Sequence, residues 1–314
     1  MTQETTQKGR TFMAVVIGLA GLFLLFLAPF IAVKALNTPL HRLVEVFQVQ
    51  DPEGVWDTPV GILTSTYYVW IGLFVFAGAA LVMIANDVRV NKPWARPLAL
   101  MLLSIPSIGG LTMTIPWMVL VMTDALGNNN PAAGAPPAIP IMAVGLVAYF
   151  IVLLTEKSAR STKIAQVVVF AMLGLVGGFV WMNAQHGVRY FISAPVYLRA
   201  EAGGSNPELF YGGFVNYAAV MLFVPAIGLL AARKESGWYL AMIGAILTFA
   251  AAFLSYIDRM GVNPAAAIEW LRGALLSAVL LVILVIPFFK NHVLGTVKST
   301  GTKSKMAKPA KAHA

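Results

Sequence analysis

The segment of residues 68–82, YVWIGLFVFAGAALV, recurs 149 positions later as YAAVMLFVPAIGLLA over residues 217–231. Six of the fifteen aligned positions are identical without a gap, including the run Leu-Phe-Val in the middle of both segments. The same offset places the polar segment that opens at Lys34 near residue 183, and a second polar segment does open at Ala184. The repeat predicts that the chain consists of two copies of one membrane-embedded unit.

The composition indicates a membrane protein. The 314 residues are 59% hydrophobic and 11% charged, with a mean hydropathy of +0.78, whereas soluble domains carry about 25% charged residues. The absence of cysteine excludes disulfides, thiolate metal sites and cysteine nucleophiles. The net charge of +9 does not predict nucleic-acid binding, because the basic residues lie at the ends of apolar segments and in the C-terminal tail.

Eight apolar segments approach or exceed the roughly 20 residues that a helix needs to cross the hydrocarbon core. We predict an all-α, polytopic membrane helix bundle of about eight transmembrane helices, arranged as two parallel four-helix repeats over residues 11–155 and 164–289. The first segment also resembles a secretory signal peptide, but it is longer than such a signal and the repeat pairs it with a later span. The segments are residues 11–33, 60–85, 97–122, 138–154, 164–183, 209–232, 238–257 and 270–289.

Two long polar segments, residues 34–59 and 184–208, are predicted to be outer loops, one in each repeat. Within the first of them, residues 37–50 have apolar side chains at helical spacing, which predicts a short amphipathic helix along the membrane surface. Two prolines in the third span predict an interrupted or kinked helix there. The apolar positions of the amphipathic helix are Leu40, Leu43, Val44 and Phe47, and the prolines are Pro106 and Pro116.

The basic residues predict the orientation of the chain. Sixteen of the 22 Lys and Arg residues lie at the N-terminus, in the loops after spans two, four and six, and in the tail. This bias places residues 1–10 and residues 290–314 in the cytoplasm and the protein in the cell (inner) membrane. The tail contains six lysines and little apolar content, so we predict that it is disordered and contacts anionic lipid.

The residue types that the spans lack exclude several classes of function. The middle of each span contains no Asp, Glu, Lys, Arg or His, and ionisable residues at that depth usually mark function. The spans therefore lack the residues that usually carry proton-coupled pumping, bis-histidine haem ligation and retinal attachment. Phosphate-binding glycine loops and the common nucleophile and zinc motifs are also absent from the sequence. We predict no cofactor and no enzymatic activity.

Six residues are candidates for an outward pocket. Tyr68 and Trp70 in span two lie at the same depth as Asn216 and Tyr217 in span six, where aromatic residues serve as interfacial anchors or line a pocket. Two threonines accompany the glycines of span three, a composition typical either of close helix packing or of a cavity wall. The six residues are Tyr68, Trp70, Thr112, Thr114, Asn216 and Tyr217.

Two further groups are weaker candidates. Glu269 and Arg272, three residues apart, could form an ion pair at the outer mouth, either structural or in contact with a ligand. His41 and Glu45 lie one helical turn apart and could supply two metal ligands if His186 joined them, although a solvated helix face explains the pair as well. An outer-face enzyme would use these three residues together with Asp258.

These observations lead to two hypotheses about function. The first is a non-enzymatic packing or accessory subunit of a membrane assembly, in contact with the lipid bilayer and with other membrane subunits or a second copy of itself. The scarcity of polar groups in the spans and the many Gly and Ala residues favour it. The alternative is a permease for a neutral or weakly polar small solute, with a pathway between the two halves.

Overall fold

The computed structural model describes residues 5–52, 56–193, 211–261 and 264–296. Most of these residues are helical, and none of them belongs to a β-strand. A π-helical turn, Leu43–Phe47, and the residues Gln48–Gln50 continue the second helix, and a second π-helical turn, Tyr211–Val215, leads into the seventh. The α-helices are α1 Gln7–Phe26, α2 Ala28–Arg42, α3 Asp57–Arg89, α4 Ala95–Leu120, α5 Ile139–Leu154, α6 Arg160–Ser193, α7 Asn216–Ala231, α8 Glu235–Met260, α9 Pro264–Val285 and α10 Pro287–Leu294.

Seven helices among the described residues, α1, α3, α4, α6, α7, α8 and α9, are long and apolar enough to cross a membrane. The predicted all-helical architecture is therefore confirmed, and helices of this kind are those of an integral membrane protein in contact with lipid. Helix α5 has 16 residues, about 24 Å of helix, which is roughly 6 Å less than the hydrocarbon core. The predicted count of eight crossings and the arrangement as two repeats thus remain predictions.

Helix α5 packs antiparallel to α4 through glycines. Gly110 of α4 lies against the backbone of Met142, and Gly145 of α5 lies against Ser107. Arg96 at the start of α4 donates to the carbonyl of Leu153 near the end of α5 at 3.2 Å. The absence of side chains at the two glycines lets the helices approach closely.

The first predicted span is not one helix. Helix α1 ends at Phe26 and α2 begins at Ala28, because Pro29 lacks the backbone N–H that would continue the ladder. The prediction of a helix over residues 11–33 is wrong in its boundaries. The predicted outer loop 34–59 contains more helix than the predicted residues 37–50, since the chain is helical up to Gln50 and again from Asp57, and Ala35 is 1% exposed.

The helix predicted within residues 37–50 is present, but its apolar stripe differs from the prediction. The side chains of Leu43 and Phe47 are buried, whereas Val44 is 55% exposed. The cause is the π-helical turn over these residues, whose wider winding rotates the following side chains relative to an α-helix.

Helix α4 is continuous through both of its prolines, so span three is not interrupted, and the predicted kink stays a prediction. A proline removes one backbone N–H, and hydroxyl side chains and neighbouring helices make such a loss tolerable inside a membrane bundle. The hydroxyl of Ser107 donates to the carbonyl of Leu103 at 2.9 Å, one residue after the Leu102 carbonyl that lacks the Pro106 donor, so the support visible at this point is the glycine contact with α5.

Helices α3 and α6 are longer than a membrane crossing. They contain 33 and 34 residues, about 50 Å each, against a core of about 30 Å. The first part of the predicted outer loop 184–208 is therefore helix up to Ser193, and residues 194–208 lie outside the described part of the chain. Similarly, α10 makes the start of the predicted disordered tail 290–314 helical, and residues 297–314 lie outside the described part.

The two copies of the repeated segment bury equivalent side chains. Phe74 and Phe223 both have no exposed surface, and the same holds for the aligned pairs Ala77 with Ala226 and Leu81 with Leu230. Phe74 lies against a glycine of α4, and Phe223 lies against a glycine of α8. Shared burial supports the predicted repeat but does not establish it.

Helices α1 to α5 form the first half of the bundle and α6 to α10 the second half. In the first half α3 packs on α1 and α4, and α5 packs on α4 and α1. In the second half α8 packs between α7 and α9, and α6 contacts both α7 and α9. The halves meet where α4 contacts α6 and α7 and where α3 contacts α6.

One end of the bundle contains residues close to both chain ends, and we call it the terminal end. Gly9 lies against Thr155, and Gly295 lies against Arg233. The carboxylate of Glu156 forms ion pairs with Arg96 at 2.9 Å and with Arg233 at 2.7 Å. This network joins the start of α4, the end of α5 and the turn between α7 and α8, so it links the two halves.

Candidate functional site

A cleft of about 310 Å³ opens at the end of the bundle opposite the terminal end, which we call the cleft end. Its walls come from the π-helical turn after α2, the start of α3, the end of α4, the outer part of α6 and the start of α9. Both halves therefore contribute to it. Most of the lining is apolar, and the large side chains are Phe47, Trp56, Leu63, Phe179 and Trp270.

The polar groups of the cleft are concentrated on α6. Asn183 donates through its side-chain amide to the carbonyl of Glu269 at 3.3 Å. Gln185 is 6% exposed, and its Nε2 has no hydrogen-bond partner among the described residues. The ring of His186 meets Trp270 edge to face, with the centroids 6.1 Å apart. His186 and Gln185 therefore add an imidazole and an amide to an otherwise apolar lining, and the unpartnered Gln185 Nε2 is itself buried beside the cleft, which it reaches by rotation of the side chain.

Among the lining residues that the structure describes, the charged side chain lies at the rim of the cleft. Of the described lining residues, Glu269 is the one carboxylate, and it forms an ion pair with Arg272, with both side chains at least half exposed. The spacing of the two residues suggested such a pair, and the structure adds that Glu269 lines the cleft. A ligand that fills the interior would therefore meet neutral groups.

Three aromatic rings that do not line the cleft, those of Trp70, Trp181 and Tyr217, pack together between the two halves, and we call them the aromatic layer. The ring of Trp181 lies 4.9 Å from that of Trp70 and 4.7 Å from that of Tyr217, centroid to centroid. Tyr217 also hydrogen-bonds to the side chain of Thr66. Trp181 precedes Asn183 by two residues on α6, so the two side chains point to opposite sides of that helix, with Asn183 toward the cleft and Trp181 away from it. The aromatic layer joins α3 of the first half to α6 and α7 of the second.

Two of the six residues predicted to line a pocket, Trp70 and Tyr217, meet in the aromatic layer. The side chain of Tyr68 is 57% exposed and points away from that layer. Asn216 has no exposed surface, and both atoms of its amide lack partners among the described residues. None of the six lines the cleft.

The threonines of α4 serve the helix itself. Thr112 donates to the carbonyl of Ile108 at 2.9 Å, and Thr114 donates to that of Gly110 at 2.8 Å. Both side chains are buried. Their hydroxyl protons are therefore engaged within α4, and no ligand is needed to satisfy them.

The candidate metal ligands do not converge. His41 and Glu45 bond to each other at 3.1 Å, with exposed fractions of 70% and 68%, while His186 lines the cleft with Trp270. In the part of the chain that the structure describes, no three His, Asp or Glu side chains are close enough to hold a metal ion. His41 and Glu45 thus occupy a solvated helix face.

The loop after α4 borders the cleft end and is ordered by Asp124. The carboxylate of Asp124 accepts hydrogen bonds from the backbone and the side chain of Asn128, at 2.8 and 2.9 Å, and from the backbone of Leu126 at 3.0 Å. The hydrogen bonds from Asn128 lower the pKa of Asp124 below its usual value. Arg42 attaches this loop to α2 by donating to the carbonyl of Thr123 at 2.9 Å.

Sequence reasoning missed two residues that matter here, Trp181 and Gln185. The signal available in the sequence was the cluster Asn183-Ala184-Gln185-His186 directly after span five. It marked the start of a polar segment, but only the continuation of α6 as a helix turned its side chains toward α9 and the cleft. Comparison of the chain with known protein families, curated proteins and solved structures finds no match.

Proposed function

We propose that this protein is a non-enzymatic, permease-type membrane protein that binds a neutral, weakly polar small solute in the cleft. The solute enters from the cleft end, and the aromatic layer closes the pathway below it. The side chain of Gln185 carries the proposal, because it lines the cleft and its Nε2 makes no hydrogen bond to any described residue, so a rotation of the flexible side chain would present that donor to a solute.

The size and the lining of the cleft support small-molecule binding. Ligand sites are typically clefts of about 300–1,000 Å³ with apolar walls and a few polar groups that fix orientation. The cleft, at about 310 Å³, falls at the lower limit of that range. Its neutral interior favours an uncharged ligand, since a charge buried there would lose its hydration without gaining a counter-charge.

The uncommitted donor of Gln185 suggests what the ligand offers. Leaving a buried N–H without an acceptor costs about 1–3 kcal/mol, so such groups are nearly always paired in native structures. A ligand with a carbonyl, ether or hydroxyl oxygen would pair it. We therefore expect a solute that is mainly apolar and has one accepting oxygen.

The aromatic layer supports the proposed permease function. Transporters built from two halves alternate access around a site between them, and here both halves line the cleft and both contribute rings to the aromatic layer. Separation of Trp70 from Trp181 would extend the cleft toward the terminal end. While these ring contacts are retained, the pathway stays closed at the aromatic layer.

A matched pair of compounds tests the binding site. Acetophenone and ethylbenzene are similar in size and differ by a carbonyl oxygen, and their binding can be measured by equilibrium dialysis against the protein in lipid nanodiscs, with empty nanodiscs as reference. We expect the protein to bind acetophenone about three- to tenfold more tightly, the value of one net hydrogen bond. The substitution Gln185→Met should remove that preference.

The control for this substitution is Gln166→Met. Gln166 is on the same helix, is 2% exposed and does not line the cleft. It should leave the preference for acetophenone unchanged. Equal binding of both compounds by the unsubstituted protein, or equal loss in both variants, would refute a binding role for the cleft.

A second proposal, the accessory subunit, is supported by an exposed stripe on α1. Large apolar side chains recur there with alternating spacings of three and four residues, the spacing of helix-to-helix seams. The chain has no cysteine, so a Leu19→Cys variant provides a clean test by oxidative cross-linking in native membranes. A cross-linked dimer or a cross-linked partner subunit would support this proposal, and an uncross-linked monomer would oppose it. The stripe consists of Phe12, Val15, Leu19, Leu22 and Phe26.

The orientation of the chain is also a proposal, supported by the bias of Lys and Arg toward one side. Both termini would face the cytoplasm and the cleft would face outward, in a cell (inner) membrane, with the basic tail near anionic lipid. A membrane-impermeant maleimide applied to intact cells should label Leu126→Cys, in a loop of the cleft end, and should spare Thr5→Cys. The opposite result would reverse the assigned orientation.

A further inference from the structure

A shallow groove lies between α1 and α5 on the outer surface of the first half, and we call it the α1–α5 groove. Phe12 lines it from α1, and α5 lines it with apolar side chains from Leu146 to Leu154, followed by Thr155. Phe12 and Val147 are both more than half exposed, so the groove is open to the surroundings of the bundle. In a membrane these surroundings are the acyl chains of lipids.

The groove has the length of one leaflet of the bilayer. Its end at Thr155 lies against Gly9, at the terminal end. From there to Leu146 it follows α5 for about 14 Å, which is close to half of the roughly 30 Å hydrocarbon core. The groove therefore extends from the interface at the terminal end to the middle of the bilayer.

Two lysines flank the interfacial end of the groove. Lys163 of α6 donates through Nζ to the carbonyl of Leu154, a lining residue, at 2.8 Å. Lys8 is exposed and precedes Phe12 by four residues, so both side chains lie on the same face of α1. A lysine ammonium has three donors, and Lys163 therefore retains two for a ligand.

The protein supplies no counter-ion to these two lysines within its described residues. Neither Lys8 nor Lys163 takes part in an ion pair there, and the described carboxylates of the terminal end are paired with other basic side chains. Positive charge at the end of an apolar groove favours an occupant with an anionic head and an apolar chain. At a membrane interface that occupant is a lipid with a net negative headgroup. The paired carboxylates are Asp87, Glu156 and Glu235.

We propose that the α1–α5 groove is a binding site for an anionic phospholipid of the leaflet at the terminal end. One acyl chain lies in the groove along α5, and the phosphate interacts with Lys8 and Lys163. The site is distinct from the contact of the basic tail with anionic lipid, because folded helices form it and it recognises a chain as well as a charge. It shares no lining residue with the cleft.

Photoreactive phosphatidylglycerol with a diazirine on one acyl chain is a suitable probe, used as a tracer with the full-length protein in phosphatidylcholine vesicles. Mass spectrometry should place its label on α1 and α5 along the groove. Photoreactive phosphatidylcholine with the same chain is the reference and should label the groove less. We expect Lys8→Gln and Lys163→Gln each to lower labelling by phosphatidylglycerol about fivefold, the contribution of one lysine near anionic lipid.

The control for these substitutions is Lys234→Gln. Lys234 is exposed in the turn between α7 and α8, also at the terminal end, and it does not line the groove. The control removes the same charge from the same end of the bundle, so a general surface potential would respond to it equally. Labelling of the groove should change less than about twofold in this variant.

A second pair of variants tests the groove itself. Val147→Trp should fill the groove and abolish specific labelling, because Val147 lines it and is 59% exposed. Val282→Trp on α9 is the control, since Val282 is 60% exposed and lies outside the groove. Melting temperatures measured for all variants identify any that fail to fold.

Any of four results would overturn the proposal: equal labelling of the groove by the two lipids, unchanged labelling in both lysine variants, an equal loss in Lys234→Gln, or equal labelling of the two tryptophan variants. Absence of label from the groove of the unsubstituted protein would also overturn it and would indicate that another helix covers the groove. Gln185→Met should leave this labelling intact, so a failure of the cleft proposal would not imply a failure here.

Discussion

The two ends of the bundle are held together by different forces. At the terminal end Glu156 lies between Arg96 and Arg233 and links the halves through charges that are at most 29% exposed. At the cleft end the halves separate around about 310 Å³ of space with apolar walls. Partly buried charge pairs are costly to break, whereas apolar surfaces slide and repack at lower cost. A movement of the halves should therefore pivot at the terminal end and open or close the cleft end.

Disruption of the aromatic layer should have the largest effect on stability. Trp181 is 6% exposed and contacts both other rings of the aromatic layer, so Trp181→Ala should lower the free energy of unfolding by about 3–5 kcal/mol. Unfolding in mixed detergent, followed by circular dichroism, measures this loss. Trp94 is 48% exposed, so Trp94→Ala should lower the free energy of unfolding much less. A similar loss in both variants would contradict the stabilising role of the aromatic layer.

Removal of the Glu156 charge at the terminal end should have the second largest effect on the free energy of unfolding. Glu156→Gln leaves two arginines close together without their carboxylate, and we expect a loss of about 2–4 kcal/mol, somewhat below the value for a fully buried pair. The control is Glu269→Gln at the cleft end, whose ion pair with Arg272 is at least half exposed. That change should cost less than about 1 kcal/mol. Equal losses would remove the distinction between the two ends.

Accessibility of engineered cysteines provides a more direct comparison of the ends. Leu63→Cys in the cleft should react with a small maleimide on the order of tenfold faster than Val152→Cys, which is fully buried near the terminal end. Each rate is measured in detergent, where both ends are reachable. A bound solute should slow the reaction at residue 63 alone. Comparable rates without solute would mean that the terminal end opens as readily as the cleft end.

The smallest expected effect is the loss of order at low pH in the loop beside the cleft. The pKa of Asp124 is lowered by its hydrogen bonds with Asn128, so the stabilisation is complete above the unfolded pKa, about 3.9, and is lost as the pH falls through the lower folded pKa. Hydrogen exchange of the Leu126 and Asn128 amides should therefore accelerate below about pH 4, after correction for intrinsic rates. In Asp124→Asn the pH dependence should vanish, and its persistence would point to another group.

Several features of the fold could be predicted from local sequence, and their failures have local causes. The helical spans were found because length and hydropathy suffice to identify them. The break at Pro29 was missed because Ala28 and Pro29 lie within an uninterrupted apolar run. The burial pattern around Val44 was missed because a π-helical turn changes the periodicity on which the prediction depended.

The candidate sites were less predictable because they depend on contacts between distant segments. Trp70 and Tyr217 were selected for their depth, and they do lie near each other, but Trp181 joins them across more than a hundred residues of sequence. The spacing of Glu269 and Arg272 indicated their pair directly, since three residues on a helix bring two side chains together.

The sequence by itself determined that the chain is a bundle of apolar helices, because each helix satisfies its own backbone hydrogen bonds and its transfer into lipid depends only on its own composition. Tertiary structure decided where the buried polar groups lie. Gln185 lines the cleft and Glu156 lies between Arg96 and Arg233 because of how the helices of the two halves pack. Many packings of equally apolar helices have similar hydrophobic energies, so only the fit of specific side chains selects one of them.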